Sequence, residues 1–453
     1  MIRSVGAAIV MVASLLSAPA TAPTPQPVPS SPSSSAAAEG DCAVLTAPPP
    51  QQAPPTTVNT LRQAYYCVLD NYYSGPAMDP RTPLKDAFSA YTRDLLRRGA
   101  DRPGLQLPAL TGNRDTDWAA LAKVLGAGDA TALRAAIAGI VAGLRDNHAR
   151  LERPSPPPEG GPTGMGIMGA SAMQGPQLDP AARPPLFITS VLPGSPAAKA
   201  DVRPGDIVLK VNGVPVFVGD AATPGILEAF NAASVRLTLK RPTTGRVRTV
   251  RITRGPITLP PLEVTAKTLR EGVTYVRLPG FFPGGADQVI AKLRGASGAV
   301  VLDLRGNGGG SPREVTRLLG AFVHGKVTSY FCPLTGECAP NRTDDTVPLL
   351  GLRLVVLTDR GCASACEDFS AAVHDLDLGP LVGTRTGGAI SGPSAPYGLD
   401  DGSVLLLPKV RHLGPAREII DTVGVPVDHY APMTALDLAS GRDPAVTKAL
   451  SLL

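Results

Sequence analysis

The spacing of apolar residues divides the chain into a helical first part and a later part that alternates strands with helices. From about Val58, apolar residues recur at intervals of three and four, in LRQAYYCVLDNYY, PLKDAFSAYTRDLLRRG, DWAALAKVL and ATALRAAIAGIVAGLRDN. This spacing is typical of amphipathic helices. The last of them is predicted to stop at Asp146-Asn147, directly before His148.

The later part of the chain has two patterns. Between residues 163 and 255, short β-branched segments surround one small helix. From 256 to 453, the predicted strands GVTYVRLPGF, GAVVLDLRG and LRLVVLTD are each followed by a helical pattern, and PLVGTR and SVLLLPKVRHL are further strands. That order predicts an α/β core with a largely parallel sheet. We therefore expect a helical N-terminal domain (58–153), a β domain (163–255) and an α/β catalytic core (256–453).

The first 57 residues carry the pattern of an exported protein. Arg3 precedes an apolar stretch, Val5–Leu16, and the small residues SAPATA follow it. This predicts a signal peptide over residues 1–22, because a membrane anchor usually needs about 20 apolar residues. Residues 23–57 are mostly Ala, Pro, Ser, Thr and Gln, which indicates a disordered or extended linker. The expected location is secreted or extracytoplasmic, with no stable membrane span in the mature chain.

Charge and cysteine content narrow the function classes. The net charge of +5 is thinly spread, and no run of Lys and Arg is interleaved with aromatics, which argues against a nucleic-acid partner. Six cysteines in an exported chain indicate disulfides rather than metal ligands, since none has zinc spacing. Their pairing stays open: Cys42 could join Cys67, Cys332 could join Cys338, and Cys362 and Cys366 bracket Ser364.

Two turns, one with a serine and one rich in glycine, are candidates for parts of a catalytic site. Ser364 lies where the strand LVVLTD leads into a helix, whose first N–H groups could stabilise an oxyanion. With Glu367, the same serine also fits a structural capping box. The turn in AVVLDLRGNGGG (299–310) lacks dinucleotide-binding spacing. Its adjacent glycines could present N–H groups to a negative oxygen, or could simply form a turn.

The run PGSPAAKADVRPGDIVLKVNGVPV resembles a PDZ domain. The resemblance implies a peptide-carboxylate loop at Gly164, Met165, Gly166 and Ile167, although an ordinary flexible loop is the alternative. The partner expected there is a protein or peptide substrate.

Preceded by this domain, the NGGG turn, VVLTDRGCASACEDF, PLVGTRTGG and DTVGVPVD resemble the C-terminal-processing (tail-specific) serine peptidases. That wider family includes the tricorn core protease and interphotoreceptor retinoid-binding protein. The resemblance spans about residues 130–430 and implies a Ser364 nucleophile. It implies oxyanion donors at the N–H of Ala365 and of Gly308 or Gly309. Members with a Ser-Lys dyad carry G-x-x-T-x-G-K, whereas GTRTGGA places Ala389 at the lysine, so a Ser-Lys mechanism is not expected.

The tricorn-like branch uses a histidine and an acid instead, and LRDNHARL matches its D-x-H pattern. His148 is then the base, although a histidine at a helix C-terminus can also be structural. Asp421, three residues before Gly424, is the expected acid that orients the imidazole, with Glu418 as the alternative.

The function expected from the whole pattern is an exported serine endopeptidase that forms an acyl-enzyme and needs no metal or organic cofactor. One alternative is a catalytically silent PDZ-containing peptide-binding protein on the same fold. Another is a protein that binds or hydrolyses a non-peptide ligand, as the retinoid-binding relative suggests.

Overall fold

The computed structural model describes residues 42–46, 54–153, 161–171, 173–174, 177–178 and 182–453. The predicted signal peptide and most of the predicted linker lie outside these ranges. Over the described ranges, no helix has the length and apolarity needed to cross a bilayer.

The helices are α1 (Val58–Asn71), α2 (Arg81–Arg97), α3 (Arg114–Leu125), α4 (Ala130–Gly143), α5 (Pro196–Lys199), α6 (Gly285–Leu293), α7 (Pro312–Gly320), α8 (Ala365–Asp375), α9 (Ala435–Ala439) and α10 (Pro444–Leu452), with 3₁₀ turns at Gly75–Ala77 and Ile226–Asn231. The strands of the first half are β1 (Arg150–Glu152), β2 (Thr163–Gly164), β3 (Ile167–Ala170), β4 (Met173–Gln174), β5 (Gln177–Leu178), β6 (Ile188–Val191), β7 (Ile207–Val211), β8 (Val214–Pro215), β9 (Phe217–Val218), β10 (Ala221–Ala222), β11 (Ser234–Lys240), β12 (Val247–Thr253) and β13 (Gly255–Pro256). Those of the second half are β14 (Thr265–Arg270), β15 (Val273–Arg277), β16 (Ala299–Asp303), β17 (Val327–Cys332), β18 (Ala339–Arg342), β19 (Arg353–Thr358), β20 (Leu381–Gly383), β21 (Ser394–Gly398), β22 (Val404–Pro408), β23 (Arg411–Leu413) and β24 (His429–Tyr430).

The four N-terminal helices share one apolar cluster with strands from much later in the chain. Side chains of Thr57, Asn113 and Asp129 accept backbone N–H groups at the starts of α1, α3 and α4, which satisfies donors that a helix leaves free. Buried residues of the helices, such as Tyr65, pack in the same cluster as Leu405 of β22. The helices are therefore fixed to the C-terminal α/β part of the chain.

Helix α4 ends at Gly143, three residues earlier than the sequence predicted. Arg145 has φ 53°, and a left-handed residue cannot continue a right-handed helix. Asp146 is then held by the hydroxyl of Tyr72, which donates to its Oδ2 at 3.0 Å. After His148, strand β1 pairs antiparallel with β22. His148 therefore lies on a short connection that is anchored at both ends.

The region that resembles a PDZ domain, which we call the PDZ region (163–255), is built on an antiparallel sheet in the order β12-β11-β7-β8. Val208, Leu237 and Ile252 form part of its buried cluster, and Met165 belongs to the same cluster. The alternation of apolar and polar residues along β11 is the period of a strand with one covered face.

The central sheet has the order β14-β15-β16-β19-β20-β24, and every pair is parallel except β14 with β15. This confirms the predicted α/β fold. Val300 and Leu302 of β16 face the cluster formed by α6, α7 and α8, whereas Val301 faces α10. Because strand β16 is buried on both faces, the turn after it is held firmly at the carboxyl edge of the sheet.

All six cysteines are paired, as expected of disulfides: Cys42–Cys67, Cys332–Cys338 and Cys362–Cys366. The first bond joins the segment before α1 to α1 itself. Val44 in that segment also bridges to Tyr397 of β21.

Candidate active site

Ser364 occupies a sharp turn between strand β19 and helix α8. Its φ and ψ are 56° and −123°, a conformation that residues with a side chain rarely adopt and that costs about 1–3 kcal/mol. The surroundings compensate for this strain, since the N–H of Ser364 donates to the carbonyl of Ala389 at 2.8 Å and to Glu367 Oε2 at 3.3 Å. The serine is only partly buried. A strained, held and accessible serine on such a turn is the arrangement of a nucleophile.

His148 meets Ser364 across the site. Its Nε2 lies 3.3 Å from Ser364 Oγ, although 216 positions separate the two residues. Burial lowers the pKa of the imidazole below its usual value; the charge of Asp146 raises it, and those of Arg150 and His412 lower it. The histidine is therefore neutral at neutral pH and able to accept a proton.

Asn147 contributes a contact that the sequence analysis missed. His148 Nδ1 lies 2.5 Å from Asn147 Oδ1. An amide oxygen can only accept, so the Nδ1 carries the proton and Nε2 presents its lone pair to Ser364. The amide nitrogen of Asn147 donates to the carbonyl of Gly388 at 3.3 Å and to Asp421 Oδ1 at 3.2 Å. An amide directly before the histidine of the D-x-H pattern is the sequence signal that could have identified it.

The two candidate acids lie differently. Asp421 accepts a hydrogen bond from Asn147, and Asn147 in turn contacts the imidazole of His148. Asp421 is thus linked to His148 through the amide of Asn147 and not by a direct hydrogen bond. Burial, and then the charge of Asp146, raise its pKa. Glu418 accepts from the N–H of Ala416 at 2.9 Å and lies beside Asp375. The geometry therefore brings Asp421, and not Glu418, into the Ser364–His148 group.

The predicted oxyanion donors lie on the two turns that meet at Ser364. Ala365 is the first residue of α8, where a helix has N–H groups without an intrahelical acceptor. Gly309 approaches so closely that a Cβ there would lie 2.7 Å from Ser364 Cβ. However, the N–H of Gly309 donates to Asn307 Oδ1 at 2.9 Å. Of the two glycines that the sequence left open, Gly308 is thus the one that can supply the second donor.

Glu367 joins the nucleophile turn to the segment where a lysine would stand in a Ser-Lys enzyme. It is fully buried and accepts from Thr386 Oγ1 at 2.6 Å, from Gly388 N at 2.6 Å and from Ala389 N at 2.7 Å. Burial raises its pKa although these bonds favour the charged form. Thr386 in turn accepts from the N–H of Val425 at 2.7 Å. Glu367 is therefore more than a helix-start residue, because it positions the surrounding loops.

The predicted PDZ loop is well packed. The carbonyl of Met165 accepts from Ala197 at 2.8 Å, and that of Gly166 accepts from Leu192 at 2.8 Å. Gly166 has φ 82° and lies against Ser195, where a Cβ would approach to 2.1 Å. Gly164 pairs within β2, and Ile167 begins β3. The loop is held in one conformation beside α5.

Comparison with known proteins supports both a peptidase and a PDZ domain in this chain. Residues 272–431 match the family model described as peptidase family S41, and residues 187–241 match a PDZ domain. The chain is 29% identical over 282 residues to a carboxyl-terminal-processing protease of Picosynechococcus, which covers 59% of this chain and 66% of the relative. It is 30% identical over 261 residues to chloroplastic carboxyl-terminal-processing peptidase 2 of Arabidopsis thaliana, and this match covers 54% of this chain and 50% of the relative. The match thus spans less than two thirds of either relative.

Solved structures show the same fold. The photosystem II D1 C-terminal processing protease superposes with a TM-score of 0.50 at 22% identity, over 83% of this chain and 93% of its own. Mature CPAF in complex with lactacystin superposes with a TM-score of 0.53 at 14% sequence identity, over 87% of this chain and 96% of its own. Residues 272–431 of this chain therefore belong to peptidase family S41, and a PDZ domain precedes them.

Proposed function

We propose that this protein is an exported serine endopeptidase of the C-terminal-processing type that uses a Ser-His pair instead of a Ser-Lys dyad. The observation that carries the proposal is the 3.3 Å approach of His148 Nε2 to the strained Ser364. Ala389 stands at the family's lysine position, and its N–H is engaged by Glu367. These two observations favour a tricorn-like histidine base over a lysine.

The reaction follows from the positions of the groups. Ser364 Oγ attacks the scissile carbonyl while His148 Nε2 takes its proton. The N–H groups of Ala365 and Gly308 stabilise the oxyanion. His148 then gives the proton to the leaving amine, and a water, activated by the same nitrogen, hydrolyses the acyl-enzyme. Asn147 holds the imidazole in the required tautomer, and Asp421 holds Asn147.

We assign the domains as proposed from the sequence: 58–153 carries the base, 163–255 is the PDZ domain and 256–453 is the catalytic core. The loop at Gly164, Met165, Gly166 and Ile167 would bind the C-terminus of a substrate, because it precedes the PDZ match where PDZ domains place their carboxylate loop. The three disulfides support export to an oxidising compartment.

A fluorophosphonate probe separates this function from a silent peptide-binding protein. The purified protein should become labelled, and the label should disappear in Ser364→Ala and fall strongly in His148→Ala. Ser370→Ala is a matched control, since Ser370 lies on the same helix and is buried, with its hydroxyl donating to Cys366. A protein that binds peptides but is not labelled would favour the silent alternative.

A further inference from the structure

The PDZ domain exposes a positively charged sheet surface, which we call the basic face and define as Lys210, Arg236, Lys240 and Arg251. Along β11, Val235, Leu237 and Leu239 are buried, so the residues between them point away from the core. The strand register places Arg236 opposite Arg251 and sets Lys210 opposite Thr238. All four basic side chains are exposed.

Among the described residues, no carboxylate forms an ion pair with any of these four side chains. Strands β7, β11 and β12 contain no Asp or Glu. The nearby ion pairs join Arg241 and Arg248 to Asp201 and Asp206 instead. On the basic face, Arg251 donates to a neutral hydroxyl, that of Ser234, at 3.2 Å.

The charges on the basic face do not by themselves stabilise the fold of the PDZ domain. Like charges directly opposite each other on neighbouring strands repel, and the Arg236–Arg251 pair is of this kind. Arg241 and Arg248, by contrast, are each matched to an acid. The repulsion on the basic face would be relieved by an external anionic surface.

We propose that the basic face docks the protein on an anionic phospholipid surface. Neighbouring strands lie about 4.8 Å apart, and Arg236 and Lys240 lie about 13 Å apart along β11. The four cations are thus spread over a plane and do not all surround one point, as a dedicated site for a single phosphate would require. A layer of lipid headgroups offers negative charge with this geometry.

The composition of the face favours lipid over a protein partner. Protein interfaces are anchored by buried aromatic residues and are depleted of charge at their centre, whereas β7, β11 and β12 carry no aromatic residue. The exposed aliphatic residues on these strands are Val247, 54% exposed and opposite Lys240, and Leu209, 36% exposed and next to Lys210. A few aliphatic side chains among cations suit the headgroup region. Docking of this kind is reversible and requires no membrane span.

The test is co-sedimentation of the chain from residue 23 with vesicles of phosphatidylcholine, with and without about 30 mol% phosphatidylglycerol. Binding should require phosphatidylglycerol and should be lost between about 50 mM and 500 mM salt. Each basic residue near an anionic leaflet strengthens binding roughly fivefold. Arg236→Ser/Arg251→Ser should therefore weaken it about 25-fold, and Arg236→Lys/Arg251→Lys should retain it.

The control is Lys123→Ser/Lys292→Ser, which removes the same charge from exposed positions on α3 and α6. It should bind nearly as well as the parent, and unchanged thermal unfolding of both serine variants would exclude misfolding. An equal loss in the control would mean that net charge alone acts, and would overturn the proposal. Binding through these residues to soluble polyglutamate, but not to vesicles, would overturn the lipid assignment.

Discussion

At the scale of single residues, the side chain of Asn147 distinguishes this site from a direct Ser-His-acid line. Because Asn147 Oδ1 fixes the Nδ1–H tautomer, Asn147→Ala should lower kcat by about 10²- to 10⁴-fold while leaving KM nearly unchanged. Asp421→Asn should cost less than this, since Asp421 acts through the amide. Glu418→Gln should cost least. Steady-state kinetics on purified, folded variants gives the ranking.

Asn147→Asp is the informative companion variant. A carboxylate there would still accept from His148 Nδ1, but it could no longer donate to Asp421 and would repel it. Its activity should therefore lie between those of the parent and Asn147→Ala. If Asn147→Ala were fully active while Asp421→Asn was not, Asp421 would reach the histidine by another route, such as a bridging water.

The acid limb of the pH profile should lie below the usual histidine value. Only the neutral imidazole can accept the serine proton, and burial lowers the pKa of His148. Activity (kcat/KM) should thus persist down to a pH below about 6.5 and then fall. Asp146→Asn should move this limb to lower pH, because Asp146 raises the pKa, and Arg150→Gln should move it to higher pH.

These two variants control for each other, because each removes one charge near the same imidazole. Shifts in the same direction would contradict an electrostatic origin. An activity that rises only toward the pH where a lysine deprotonates would contradict the assignment of His148 as base.

Sequence motifs could identify Ser364, His148 and Asp421 as candidates because each stands in a recognisable local pattern. They could not reveal the role of Asn147. Its contact depends on where α4 ends, and that end is set by the left-handed Arg145 and by the bond from Tyr72 to Asp146. The choice between Gly308 and Gly309 was equally hidden, since it depends on the side chain of Asn307 accepting the N–H of Gly309.

At the scale of elements, the two turns at the carboxyl edge of the sheet must fit against each other. Gly309→Ala would place a Cβ 2.7 Å from both Ala363 O and Ser364 Cβ, so the turns would separate and both stability and labelling of Ser364 should fall. Gly306→Ala is the matched control, because Gly306 has φ 71° but nothing within 4 Å of its Cβ. It should cost only about 1–2 kcal/mol of unfolding free energy.

Denaturant unfolding measures the loss of stability in each variant, and fluorophosphonate labelling measures the loss of Ser364 reactivity. Equal effects of both alanines would show that backbone strain alone matters, and that the close approach of Gly309 to Ser364 is unimportant.

Elements with a strong internal period were predictable, and those that depend on distant partners were not. Strand β16, with five buried residues, and helix α8 follow from their own sequences. Strand β14 is largely exposed and was missed, since its place at the sheet edge comes only from pairing with β15. The β17–β18 hairpin was missed as strands, although the loop closed by Cys332 and Cys338 was anticipated.

At the scale of the whole molecule, contacts between regions far apart in sequence fix the arrangement of the site. Strand β1, which follows His148, pairs with β22, and Leu405 of β22 completes the helical cluster. The PDZ region in turn touches the C-terminal part of the chain at α9. No local pattern encodes such contacts, because each depends on two surfaces that meet only after folding.

The contact between the PDZ region and α9 can be tested at Gly205. A Cβ at Gly205 would lie 2.7 Å from Ala435 O and 2.7 Å from Ala439 Cβ. Gly205→Ala should therefore push α9 away and accelerate hydrogen exchange of the amides of residues 435–439. Gly213→Ala is the control, since Gly213 has nearly the same φ, 89° against 88°, but open space around its Cβ. If both single alanines left the exchange of α9 unchanged, the PDZ region would not be held by this helix in solution.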